Sequence, residues 1–124
     1  MVNIHVPAPR ILIVEDEWLL RLELATALEE AGWTVLEAES GESALAILDQ
    51  APALSALITD IRLGGTVNGW QVAEAARAQA PLLPVIYTSA NSPDPIKQVA
   101  DSTFLSKPVR LAELLPKCAA FMAP

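Results

Sequence analysis

Ala56-Leu57-Ile58-Thr59-Asp60 runs directly into Ile61-Arg62-Leu63-Gly64-Gly65. An apolar run closed by a carboxylate and followed by a glycine-bearing loop reads as a buried strand that delivers Asp60 to the edge of a sheet. Three other segments share this design. Ile11-Leu12-Ile13-Val14 runs into Glu15-Asp16-Glu17, Val85-Ile86-Tyr87-Thr88 hands over Ser89, and Phe104-Leu105-Ser106 hands over Lys107. In an open parallel sheet these strand ends share one edge, where α/β proteins bind ligands. Three acids, a hydroxyl and a lysine would meet there.

The rest of the chain supports that sheet. Residues 1–10 read as an irregular lead-in and 11–124 as one domain. Four consecutive aliphatics at 11–14 suit a strand covered on both faces. A helix is expected over about 17–31, with Asp16 as its cap and Leu20, Leu22, Leu24, Ala25 and Leu28 as its apolar face; Gly32 suits the left-handed position that ends it. A second strand spans 33–38. Ser40 opens the next helix, with Ala44, Leu45 and Leu48 inward and Pro52 past its end. Asn68 caps a third helix, with Gln71 three residues on and Val72, Ala73 and Ala76 as core face.

Asp94-Pro95 starts a fourth helix that has room for only one or two turns before Asp101. A last helix begins near Arg110 with Leu111, Leu114 and Leu115 inward, and Pro116 is expected to kink or break it. Five strands alternating with five helical patterns predict a doubly wound, five-stranded parallel α/β sheet with helices on both faces.

Composition excludes several function classes. No apolar run reaches the ~18 residues of a membrane span, and the first ten residues lack the apolar core of a secretory signal. The single cysteine, Cys118, excludes an internal disulfide and fits a reducing, cytoplasmic location. Fifteen acids against eight bases give a net charge of −7, which repels nucleic acid and anionic lipid and attracts cations and basic protein faces. No glycine-rich phosphate loop with a following Lys-Ser/Thr is present, which argues against direct ATP use. His5 lies in a proline-flanked tail and reads as incidental.

Taken singly, Glu15, Asp16 and Glu17 are acids at a helix start, Asp60 and Ser89 are strand-end polar residues, and Lys107 is a loop lysine. Their order and spacing together resemble the receiver domain of two-component response regulators. The resemblance spans about 11–120. It rests on Ile-Leu-Ile-Val-Glu-Asp-Glu at 11–17, Ile58-Thr59-Asp60, Pro-Val-Ile-Tyr-Thr-Ser-Ala at 84–90, and Lys107-Pro108.

The resemblance implies a flavodoxin-like sheet of order 2-1-3-4-5 and a set of roles. Asp60 matches the phosphoacceptor, whose carboxylate attacks a phosphohistidine on a histidine kinase or histidine phosphotransfer protein. Glu15, Asp16 and Asp60, with the backbone carbonyl of Arg62, match the ligands of Mg²⁺, Mn²⁺ being the alternative ion. Without the ion, three carboxylates this close should raise at least one pKa. Ser89 and Lys107 match the groups that bind the phosphoryl oxygens. Lys107-Pro108 matches a peptide bond that is usually cis in the family.

Ser89 and Phe104 match its switch pair; Phe104 lacks the common tyrosine hydroxyl, so an inward rotamer packs more readily. Arg62 and Asn91 occupy positions that tune the phosphoryl lifetime. The chain also departs from the family. Gly64 replaces a frequent proline, so the 64–68 loop is expected to be more mobile, and the short fourth helix alters the face that reads out phosphorylation.

The expected function is therefore that of a stand-alone receiver which accepts a phosphoryl group on Asp60 and switches a protein-interaction face. It would catalyse only its own phosphorylation and hydrolysis. Its downstream target is unspecified, and the last helix is a surface open to dimerisation. Two rivals stand beside this. One is a fold-retaining interaction module or phosphate sink. The other is an aspartate-nucleophile phosphatase of the haloacid-dehalogenase kind, which needs an acid two positions after the nucleophile; that position is Arg62. Trp18, Trp33 and Trp70 are expected to be partly buried anchors, with Trp18 at the pocket rim, and Cys118 to be packing.

Overall fold

The computed structural model describes residues 7–122. In chain order they form β1 (Arg10–Val14), α1 (Trp18–Glu30), β2 (Thr34–Ala38), α2 (Gly41–Asp49), β3 (Ala56–Asp60), α3 (Gly69–Gln79), β4 (Val85–Ser89), β5 (Thr103–Ser106) and α4 (Leu111–Met122). Every strand pairing is parallel, and the sheet order is β2-β1-β3-β4-β5. Most of the expected lead-in, including His5, lies outside the described residues.

The aliphatic runs occupy the middle of the sheet. β3 and β4 are buried at all five positions, and β1 at all but Arg10. Alternate residues feed two cores. Ile11, Ile13, Ile58 and Ile86 pack with Leu24, Ala25 and Leu28 of α1 and with Leu114 and Cys118 of α4. Leu12, Val14, Leu57, Val85 and Tyr87 pack with Ala44 and Leu48 of α2 and with Val72, Ala73 and Ala76 of α3. Burial on both faces explains why these strands are continuously apolar rather than alternating.

Local signals held at two helix starts. The Ser40 hydroxyl accepts from the Ser43 amide at 3.0 Å, and Asn68 Oδ1 accepts from the Gln71 amide at 3.0 Å, each inside a reciprocal capping box. Gly32 has φ +101°, the left-handed conformation expected after α1.

Several expectations are corrected. Asp16 does not cap α1: it sits one residue too early, and the cap position belongs to Glu17, which makes no side-chain cap bond. Leu22 is 49% exposed because no element among the described residues covers that side of α1, and Leu111, at the first position of α4, is 38% exposed beside it. Pro116 does not break α4. The carbonyl it leaves without an amide partner is that of Ala112, in an exposed first turn where water can bind it. Trp18 is 66% exposed and is not an anchor, whereas Trp33 is buried.

The fourth predicted helix is not formed. Residues 91–102 hold one turn, in which Asp94 O accepts from the Lys97 and Gln98 amides, and the Val99 amide then donates to the Tyr87 hydroxyl at 3.1 Å. A tertiary acceptor thus replaces the carbonyl that would have extended the helix.

Candidate functional site

Parallel register brings the strand ends together. β1 and β3 align Val14 with Thr59, so Glu15 and Asp60 leave the sheet side by side. β3 and β4 align Asp60 with Thr88, and the Lys107 amide donates to the Ser89 carbonyl at 2.9 Å, extending the ladder one step past β5. Lys107 Nζ then donates to Glu15 Oε1 at 2.8 Å and to Asp60 Oδ2 at 2.7 Å. Glu15 Oε2 accepts from the Glu17 amide at 3.1 Å.

The three carboxylates are unequal. Glu15 and Asp60 are buried, whereas Asp16 stands in solvent in the connection to α1. Each offers an oxygen within 4.8 Å of the others. Three hard carboxylate oxygens, one of them open to water, fit a small divalent cation of the Mg²⁺ or Mn²⁺ type better than a soft metal. Burial pushes the Glu15 carboxyl above its usual range; hydrogen bonds from Lys107 and the Glu17 amide oppose this, and the charge of Asp60 adds least. The rise expected from repulsion is therefore chiefly a desolvation effect. Burial also acts to lower Lys107, yet the two carboxylates outweigh it and hold the ammonium above its ordinary value.

Ser89 is buried at the end of β4, and its hydroxyl oxygen accepts from the Asn91 amide at 3.0 Å. It lines a cleft of about 440 Å³ with Ile61, Arg62, Leu63, Asn68, Trp70 and Asn91; neither Asp60 nor Thr88 is part of its walls. Phe104 is half-buried against the α2–α3 core, and Lys107-Pro108 is cis. Trp18 is absent from the walls of this cleft. The 64–68 loop carries tethers that its glycines did not suggest. The Val67 amide donates to Glu42 Oε1 at 3.2 Å, and the Glu42 carboxylate lies where a Cβ on Gly65 would be.

Sequence reading missed three supports. Gly69, the first residue of α3, lies so close to the Asp60 carbonyl that a Cβ would overlap it, and Gly41 stands likewise against Val67. A glycine immediately after the Asn68 cap, where a helix former is the ordinary choice, was the available signal. The third is Arg21, whose Nη1 donates to the Glu15 carbonyl at 2.7 Å and whose Nε donates to Glu37 Oε1 at 3.2 Å. No signal in the sequence distinguished it from an exposed helix arginine.

A sequence profile described as the response regulator receiver domain matches residues 11–119. The chain is similar to a response regulator receiver protein from Sinorhizobium medicae WSM419, with TM-score 0.83, 32% identity and coverage of 93% of this chain and 94% of that one. It is also similar to the receiver domain of the hybrid histidine kinase CckA, with TM-score 0.79, 31% identity and coverage of 92% and 99%. A probable transcriptional regulatory protein of Picosynechococcus sp. is 33% identical over 123 residues, which are 91% of this chain and 49% of that protein. The chain spans about half the length of the first curated relatives it matches.

Proposed function

The chain belongs to the response regulator receiver family, and from that premise we propose that Asp60 accepts a phosphoryl group from the phosphohistidine of a histidine kinase or histidine phosphotransfer protein. The observation that carries this reading is the Lys107 ammonium seated between Glu15 and Asp60, with its backbone amide bonded to the carbonyl of Ser89. Lys107 holds Oδ2 of Asp60, which leaves Oδ1 as the attacking atom. The phosphorus–nitrogen bond of the donor breaks as the Oδ1–phosphorus bond forms, and the electron pair departs with the imidazole. Such a transition state is loose, so alignment and charge neutralisation supply most of the acceleration.

Glu15, Asp16, Asp60 and the Arg62 carbonyl would hold Mg²⁺, with Mn²⁺ as the substitute; the ion supplies charge neutralisation at the transferring oxygens. The Ser89 hydroxyl then donates to one phosphoryl oxygen and Lys107 pairs with another. The Ser89 oxygen also accepts from the Asn91 amide, so a shift of Ser89 toward the phosphoryl passes the change into the segment that stands where a fourth helix was expected. Phe104 follows Ser89 as the second half of the switch, and Arg62 and Asn91 on the cleft wall set the phosphoryl lifetime. The chain acts on its own acyl phosphate and on no separate metabolite.

The donor protein needs an apolar landing surface beside the acceptor. Trp18, Leu19 and Leu22 are 66%, 49% and 49% exposed, and Leu19 lines a groove that continues to Lys107 and Pro108. Uncovered apolar groups in contact with a reaction site mark a docking face.

Intact-mass measurement after acetyl phosphate treatment tests the reading. One phosphoryl mass should appear on the native chain with MgCl₂, and none without the ion or on Asp60→Asn. Mass gain that persists in Asp60→Asn, or none on the native chain, refutes it.

A further inference from the structure

We propose that Arg21 is a positioning residue for the cation site, fixing the peptide plane that carries Asp16. The inference rests on the reading of Glu15, Asp16 and Asp60 as that site. Asp16 is the exposed member, and it sits in the short connection between β1 and α1. Neither of the usual anchors holds this connection. Asp16 does not cap α1, and the Glu17 cap position makes no side-chain bond to the helix.

Besides the Glu17 amide, which donates to Glu15 Oε2 at 3.1 Å, two hydrogen bonds on Glu15's backbone hold it. The Glu15 amide donates to the Ala38 carbonyl of β2 at 3.0 Å. The Glu15 carbonyl, which belongs to the Glu15–Asp16 peptide, accepts from Arg21 Nη1 at 2.7 Å. Arg21 stands on α1, and its Nε reaches Glu37 on β2 at 3.2 Å. One planar guanidinium therefore ties α1, the connection and β2 together.

Fixing the carbonyl oxygen fixes the rotation of the peptide that launches Asp16. A charge-assisted bond of this length is about twice as strong as a neutral one. A lysine has no fork with which to meet the carbonyl and Glu37 in the same geometry. The inference can be judged by sign. A cation brought near an acidic site weakens metal binding by simple repulsion, so removing Arg21 would tighten Mg²⁺ if charge were all that mattered. A positioning role demands the reverse, because an untethered Asp16 must be ordered at the moment the ion binds.

Isothermal titration of the folded chain with MgCl₂ separates the two. Loss of supporting bonds behind metal ligands costs about 10- to 100-fold in affinity. Asp16 keeps its own carboxylate in the variant, so about tenfold weaker binding is expected for Arg21→Gln. Arg21→Lys should fall between it and the native chain. Glu37→Gln, which retains an acceptor for Nε, should stay within about threefold. Circular dichroism shows that each variant is folded, and an Asp16→Asn titration gives the floor. Affinity in Arg21→Gln equal to or tighter than native, with native binding intact, overturns the positioning role and leaves the site standing. No Mg²⁺ binding by the native chain overturns the site reading and the inference with it.

Discussion

Lys107→Met is the perturbation that the site geometry constrains most closely. In the folded chain the ammonium lies 2.8 Å from Glu15 and 2.7 Å from Asp60, whose side chains are 2% and 8% exposed. At that separation and an effective dielectric constant of about 20, each pair attracts by roughly 6 kcal/mol before desolvation is counted. Removing one partner of a buried pair costs about 3–5 kcal/mol, because the remaining charge stays behind unpaired. Lys107 itself is 19% exposed, so water screens part of the interaction and the lower end applies, about 3 kcal/mol.

The two carboxylates do not share that cost equally. Glu15 keeps the Glu17 amide and is already biased by burial toward its neutral form, so Asp60 bears the larger part. Urea unfolding without metal, followed by circular dichroism, should show the midpoint falling by about 2 M for a slope near 1.5 kcal/mol per molar. In the Asp60→Asn background the same substitution should cost at least ~1 kcal/mol less, since neighbouring groups in one network are not additive. A loss below about 1 kcal/mol in the native background, or equal losses in both backgrounds, would refute the claim that Lys107 neutralises Asp60.

Three further outcomes are expected. Gly69→Ala should destabilise by about 2–3 kcal/mol through overlap with the Asp60 carbonyl, while Gly64→Ala, which meets no atom within 4 Å, should stay within ~0.5 kcal/mol; similar urea midpoints for the two would contradict the close approach. Tyr87→Phe removes the acceptor of the Val99 amide and should cost about 1 kcal/mol, with faster hydrogen exchange at Val99; unchanged protection there would show that the tether is idle.

Burial pushes the Cys118 thiol up to about 11 from 9.0. A folded value above the unfolded one means that its contribution is complete below about pH 9 and is lost as pH rises through about 11. Between pH 8 and 11 the native chain should lose about 2 kcal/mol more than Cys118→Ala; parallel curves would count against it.

Much of this protein was written locally. Continuous apolar residues at 11–14 and 85–87 read as strands covered twice, and two such faces require helices on both sides. Ser40 and Asn68 announce their helices because a cap is a bond between residues three apart. The place of Asp60, Ser89 and Lys107 at one sheet edge was legible because each lies at the end of a largely apolar strand, where a side chain leaves the core.

What the tertiary structure alone decided concerns partners distant in the chain. Lys107 bridges residues 92 and 47 positions away, a choice made by strand register and not by any local preference. Leu22 and Leu111 obey helical periodicity yet stay exposed, because a periodic stripe marks a face and says nothing of whether another element covers it. The segment at 91–102 starts like a helix and stops after one turn because the Tyr87 hydroxyl captures the next amide. Asp16 was recognisable as an acid, but its place depends on an arginine one turn away and a glutamate on the neighbouring strand. Sequence fixes which groups are available at the edge; only packing fixes which of them touch.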